Sequence, residues 1–315
     1  MFNWDKLGRV FEVDENYSWM NSHTTPIAVL YIDNVIRVYF STRSKIDKKG
    51  NFISNSSYID LDKNDPTKII YIHDKPLFDL GDFGAFDEFG VMVTDVVHYK
   101  DKVYLYYAGW QRLGGDTAAY QVMLGLGVST DNGKTFSKIS KGPIMSVDYY
   151  DHISIGNVGV IVENDDWKLY YTNLTQWVLS GKKPTYEYEI KYATSKDGIF
   201  WNKTNKVVIG VENRFGAATP TIHKINNNYH MWFGYRKAYD KEDKVGGYRM
   251  GYASSKDGVK WLRNDDISSI KTSDKGWDSE MVCYPDVVKV DDNYYMFYCG
   301  NGFGKEGFGV AKLVL

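Results

Sequence analysis

The chain has only two cysteines, Cys283 and Cys299, so no disulfide framework holds it together. Both are expected as buried, reduced thiols on paired strands, neighbours in space. No His or Cys group has zinc spacing, and no glycine-rich phosphate loop is present. Neither a metal nor a cofactor is expected on that basis. The formal net charge of −2 gives no electrostatic case for nucleic acid or an anionic membrane. No run is apolar enough to span a bilayer, so membrane insertion is not expected. The N-terminal stretch lacks an apolar signal core, which makes a cytoplasmic location the expectation. Long amphipathic helical periodicity is missing throughout.

What the chain has is aromatics, 16% of its residues with 26 Tyr and 9 Trp, and a repeat. Segments 93–110, 158–174, 219–236 and 284–301 read alike, and 25–43 is a weaker copy. Each is an apolar run, a polar turn, and a second run rich in Tyr, Trp, Phe and Met. Anchored on Pro26, Thr94, Val158, Pro220 and Pro285, the steps are 68, 64, 62 and 65 residues. A fixed period of this size indicates an array or a propeller.

One unit reads as four strands. In the fourth copy, Ala217–Lys224 and Tyr229–Tyr235 form a hairpin, Tyr248–Ser254 a third strand, and the segment after Trp261 a fourth. Asn and Asp-Gly turns supply the positive φ that tight hairpins need. The pattern predicts an all-β, five-bladed β-propeller of four-stranded antiparallel blades, a single domain over residues 1–315. The blades are expected near 17–80, 81–146, 147–211, 212–272, and 273–315 completed by 1–16. The last unit ends at its third strand, so Gly8–Val13 is expected to complete that sheet and close the ring. The recurring S-x-D-G turns at 129–136, 194–201 and 254–261 are expected to be structural.

Function is expected where the innermost strands open onto one face of the channel. Seven positions before the anchor stand Asp87, Asp151, Asn213 and Asp278. Their recurrence favours a structural role in tying down the loop. Residues that break the repeat are better site candidates: Glu88, His152, Arg214 and Glu280 ahead of the first strands, and His23 and Tyr284 on them. Arg43, Trp110, Gln111, Trp177, Arg236 and Asn301 follow the second strands. Carboxylates, arginines and indoles around one mouth suit a sugar, which offers apolar C–H faces and many hydroxyls. Glycoside hydrolysis needs one carboxyl to protonate the leaving oxygen and another to attack or to activate water. The arginines could bind an acidic sugar or a phosphate.

The chain resembles the five-bladed propeller glycoside hydrolases, the superfamily of families 43, 32, 68, 62 and 130. The resemblance rests on the S-x-D-G-x-x-W turns, the paired aromatic strands, GAFDEFGV (84–91), YYAGW (106–110), MWFGYR (231–236) and GWDSEMVCYPDVV (276–288). It is closest to a subgroup found among bacterial surface-polysaccharide genes. The resemblance implies a glycoside hydrolase-like enzyme working on an oligosaccharide or a surface-polysaccharide precursor. The family 32 nucleophile motif W-M-N-D-P is absent: Trp19-Met20-Asn21 is followed by Ser22. The acid motif E-C-P becomes Cys283-Tyr284-Pro285. The expected catalytic carboxylates are therefore Glu280 as general acid, with Glu88 or Asp87 as base or nucleophile. His23, Arg43, Trp110, Gln111, His152, Trp177, Arg214, Arg236, Asp278 and Tyr284 are expected to bind substrate. The alternatives are a non-catalytic propeller that holds a sugar or nucleotide sugar, a transferase or phosphorylase, and a scaffold. The expected partner is a carbohydrate at the channel mouth.

Overall fold

The computed structural model describes residues 2–13, 17–46, 52–113, 120–180, 183–212, 215–237, 247–267 and 270–314. Within them the chain forms five four-stranded antiparallel sheets arranged as the blades of a propeller. Blade one comprises Ile27–Ile32, Val35–Arg43, Ser54–Asp62 and Asp65–Ile72. Blade two comprises Val91–Tyr99, Lys102–Arg112, Tyr120–Ser129 and Ser137–Lys138. Blade three comprises Ser154–Glu163, Asp166–Ser180, Lys183–Ser195 and Asn202–Ile209. Blade four comprises Phe215–Ile225, Asn228–Lys237, Arg249–Ser255 and Leu262–Arg263. Blade five comprises Cys283–Val290, Asn293–Cys299 and Phe308–Val314, with Asn3–Phe11 as its outer strand.

The N-terminal strand closes the ring, pairing from Asn3 opposite Val314 to Phe11 opposite Phe308. It begins earlier than the Gly8–Val13 expected from sequence. The reason is packing: Trp4 is buried and meets Trp232 edge-on, with ring centroids 5.5 Å apart. That indole anchors the strand at its second residue, which apolar alternation alone understates.

The core lies between neighbouring blades. The second strands carry its largest side chains, and Tyr106, Tyr107, Tyr170, Tyr171, Trp232 and Phe297 are fully buried. The S-x-D-G turns join one blade to the next. Ser129, Ser195 and Ser255 each hydrogen bond the Asp two residues on. The turn carbonyls of Gly133, Gly198 and Gly258 then accept hydrogen bonds from Tyr39, Tyr106 and Tyr170 of the preceding blade, at 2.7, 2.8 and 2.7 Å. Cys283 and Cys299 face each other across a strand pair as free, buried thiols.

The innermost strands line the channel. In blades two to five each is broken by a bulge, between Val93 and Asp95, Ile155 and Val158, Ala218 and Thr221, and Cys283 and Asp286. A bulge turns the strand and re-aims the side chains beside it. Below the bulges, Asp95 bonds the Val160 N–H of the next blade. Asp286 accepts from Val29 N–H at 2.6 Å and from the Thr221 hydroxyl at 2.8 Å.

Candidate functional site

Above the bulges the channel opens into a pocket with a cavity volume of about 230 Å³. Three of its non-glycine lining residues have left-handed backbone, Thr219 (φ 55°), Tyr284 (φ 51°) and Phe303 (φ 60°), as does His23 (φ 65°), which lies outside the lining. Bulky and β-branched residues adopt that conformation at a cost, and such positions cluster at functional sites. The bulges supply the floor. Asn157 donates to the Thr219 hydroxyl at 2.9 Å, and the Thr219 N–H donates to the Thr172 hydroxyl at 3.1 Å.

Aromatic rings from four blades form the walls. Trp110 stacks on Tyr120 with centroids 4.8 Å apart and planes 6° from parallel. The Tyr120 phenol donates to Tyr186 at 3.2 Å. Tyr188 and Tyr248 stack with centroids 6.4 Å apart, and Tyr284 lies 5.6 Å from Tyr248. Burial pushes the Tyr120, Tyr248 and Tyr284 phenols well above their ordinary range, so they remain hydrogen-bond donors at physiological pH. The Trp110 Nε1–H is buried with no partner among the described residues.

Two guanidinium groups enter this pocket, from blades one and four. Arg236 donates from Nε to the Tyr188 phenol at 2.9 Å. Its charge sits 5.2 to 5.9 Å from the centroids of Tyr186, Tyr188, Tyr248 and Phe303. Arg43 lies 4.4 Å from the Phe52 centroid. Among the described residues no carboxylate comes within 4.0 Å of either guanidinium. Burial holds Arg43 below its usual range. Burial acts the same way on Arg236, but the surrounding tyrosines outweigh it and leave the group above its usual value. His23 is pushed down to about 3 by burial first, then by the charges of Arg43 and Lys305, and is neutral at physiological pH.

Of the residues singled out in the sequence, Arg43, Trp110, Arg236 and Tyr284 line this pocket. Trp177 stands behind the wall, 5.9 Å from Tyr120 and 5.3 Å from Tyr186. Gln111 donates to the Gly84 carbonyl at 3.1 Å, and Glu88 accepts the Gly84 N–H at 2.9 Å, so both brace the loop before blade two. His152 and Glu280 are exposed on the loops leading into blades three and five. Arg214 lies outside the described residues.

Asp87 and Asp278 stand outside the pocket lining, each in the same buried arrangement. Asp87 accepts from Tyr107 at 3.1 Å and pairs with Lys138 at 2.6 Å. Asp278 accepts from Tyr298 at 3.0 Å and pairs with Lys6 at 2.6 Å. Asp151 repeats it with Tyr171 at 2.9 Å and Lys191 at 2.9 Å. These carboxylates are held by a phenol and an ammonium that tie the loop to its own blade, which accounts for their recurrence. No carboxylate is among the described residues that line the pocket. The described residues also include no group of three His, Cys, Asp or Glu side chains placed to hold a metal ion, and no helix long and apolar enough to cross a membrane.

Sequence reasoning missed Tyr120, Tyr186, Tyr188 and Tyr248, which begin or lie near the start of third strands, and the floor residues Asn157 and Thr219. A tyrosine near the start of the third strand in blades two, three and four was the available signal.

No family model matches the chain. It is 31% identical over 314 residues to "Uncharacterized protein Rv1502" of Mycobacterium tuberculosis, covering 98% of this chain and 99% of that protein. A 108-residue stretch, 31% of this chain and 36% of the relative, is 31% identical to a "Beta-1,2-mannobiose phosphorylase" of a Thermoanaerobacter species. Among solved structures, a glycosyl hydrolase from Bacteroides ovatus superposes with a TM-score of 0.74 at 15% identity, over 99% of this chain and 93% of that one. The chain belongs to the family of Rv1502, and its fold is that of the five-bladed β-propeller seen in the Bacteroides ovatus structure.

Proposed function

We propose that this chain is a glycan-active enzyme that binds its sugar in the channel-mouth pocket, one ring face against the Trp110–Tyr120 wall. The observation that carries this reading is the combination found in that wall. An aromatic stack supplies an apolar face, and beside it stand the unpartnered Trp110 Nε1–H and the protonated tyrosine hydroxyls. Sugars need both kinds of contact at once. The fold it shares with glycoside hydrolases supports the same reading.

Breaking a glycosidic bond requires a proton for the leaving oxygen and a nucleophile at the anomeric carbon. The described lining holds no carboxylate, so in this reading the loops at the mouth supply the acid. We assign that role to Glu280, exposed ahead of blade five and free of any ion pair among the described residues. Phosphorolysis is the second reading, favoured by the lack of a facing carboxylate pair among those residues. Phosphate would then be the nucleophile, and a single protein acid would suffice. Intracellular oligosaccharides or surface-polysaccharide precursors are the substrates we place here, together with a cytoplasmic location.

The test is a panel of oligosaccharides incubated with the full chain, with and without inorganic phosphate. Reducing sugar as product indicates hydrolysis, and sugar 1-phosphate indicates phosphorolysis. Glu280→Gln should lower turnover by about a hundredfold or more. Unchanged turnover in that variant removes Glu280 from the mechanism. Sugar that binds but is never cleaved makes the chain a binding module.

A further inference from the structure

We propose that the glycan held at the channel mouth carries its own oxyanion, a carboxylate or a phosphate ester, and that Arg43 and Arg236 grip it together. This rests on the glycan reading above and adds the class of sugar.

Arg43 and Arg236 are partly buried, and drawing a charged side chain even partly out of water without a counter-charge is costly. Among the described residues the neighbours of Arg236 are neutral: three phenols and the Phe303 ring, with one side-chain hydrogen bond, to Tyr188. Phe52 is the ring under Arg43, whose side chain makes no hydrogen bond among the described residues. A guanidinium carries five N–H donors in a planar fork suited to carboxylate or phosphate. Both forks are therefore largely unspent, in a molecule whose net charge is −2.

The same pocket carries the hydroxyl and amide floor of Asn157, Thr172 and Thr219. Those groups match neutral hydroxyls, while the arginines match an anion. A single ligand that satisfies both is a sugar bearing an acidic substituent.

The test uses the full chain in titration calorimetry with matched pairs: methyl glucuronide against methyl glucoside, and glucose 6-phosphate against glucose. Inorganic phosphate and sulfate are titrated alone. Charge-assisted hydrogen bonds predict that the anionic member binds about 10–100-fold tighter. Arg43→Gln and Arg236→Gln should each cut that preference, read as the ratio of the two affinities within a pair, by about tenfold or more. Which pair shows the preference identifies the anion as carboxylate or phosphate ester. Because Arg236 packs against four rings, Arg43→Gln and Arg236→Lys stand as the readout if Arg236→Gln does not fold. Equal affinity within both pairs overturns the inference and leaves the glycan reading intact. Inorganic phosphate binding as tightly as the sugar anions also overturns it, since the anion is then a separate molecule. No binding of any sugar, neutral or anionic, takes down the glycan reading and this inference with it.

Discussion

The Lys6 ammonium lies 2.6 Å from the Asp278 carboxylate, linking the strand that closes the ring to the loop that opens blade five. The Asp278 side chain is 3% exposed and Lys6 27%. Removing the lysine leaves a buried carboxylate whose remaining side-chain partner among the described residues is the Tyr298 phenol. Lys6→Met is expected to cost about 3 kcal/mol in urea unfolding. The double variant with Asp278→Asn should recover part of that loss, since it removes the stranded charge. A Lys6→Met protein as stable as wild type contradicts the ring-closing role.

The phenol of the same arrangement can be tested in blade three. Tyr171→Phe keeps the buried ring and deletes the hydrogen bond to Asp151. About 1 kcal/mol of destabilisation is expected, with sugar affinity unchanged. Blade four already carries Phe233 at this repeat position, so the fold tolerates the loss. A drop in ligand affinity would instead place Asp151 in the site.

Turn Gly198 is packed against blade two as well as bent. Its φ is +73°, and an added Cβ would lie 2.7 Å from the Trp167 ring and 2.8 Å from the Tyr106 hydroxyl. Gly198→Ala should therefore cost about 2 kcal/mol, read as a lowered melting temperature. Gly142, whose added Cβ meets nothing within 4 Å, is the control and should tolerate alanine.

The five-fold repeat, the four-stranded unit and the closing strand were legible because each recurs or answers a missing partner. The S-x-D-G turns were legible for the same reason: Asp and Gly at fixed spacing meet a local backbone demand. The pocket was half legible. Arg43, Trp110, Arg236 and Tyr284 interrupt the repeat and stand out on alignment. The tyrosines at 120, 186, 188 and 248 were hidden because they meet only when three blades close around an axis. The partners that hold Asp87 and Asp278 were not legible, because Lys138 and Lys6 are 51 and 272 residues away in sequence.

Stability should depend on pH through the channel. Burial pushes the Asp286 carboxyl up to about 7, against about 3.9 in an unfolded chain. Asp95 is also raised, by burial and then by the charge of Asp286. A carboxyl raised in the folded state favours its protonated form there. Its contribution is complete below about pH 4 and is lost as pH rises through about 7. Between pH 5 and pH 8 the wild type should lose on the order of 2 kcal/mol from this group. Asp286→Asn should show a flatter profile over that range in urea unfolding. Parallel profiles would mean that Asp286 is ionised throughout.

The most direct test of the whole account is a crystal structure of the full chain soaked with a sugar that calorimetry shows to bind. The account predicts a sugar ring against Trp110 and Tyr120, with its acidic substituent between Arg43 and Arg236. Sugar at the other end of the channel beside Asp95 and Asp286, or on an outer blade face with this pocket empty, would contradict it.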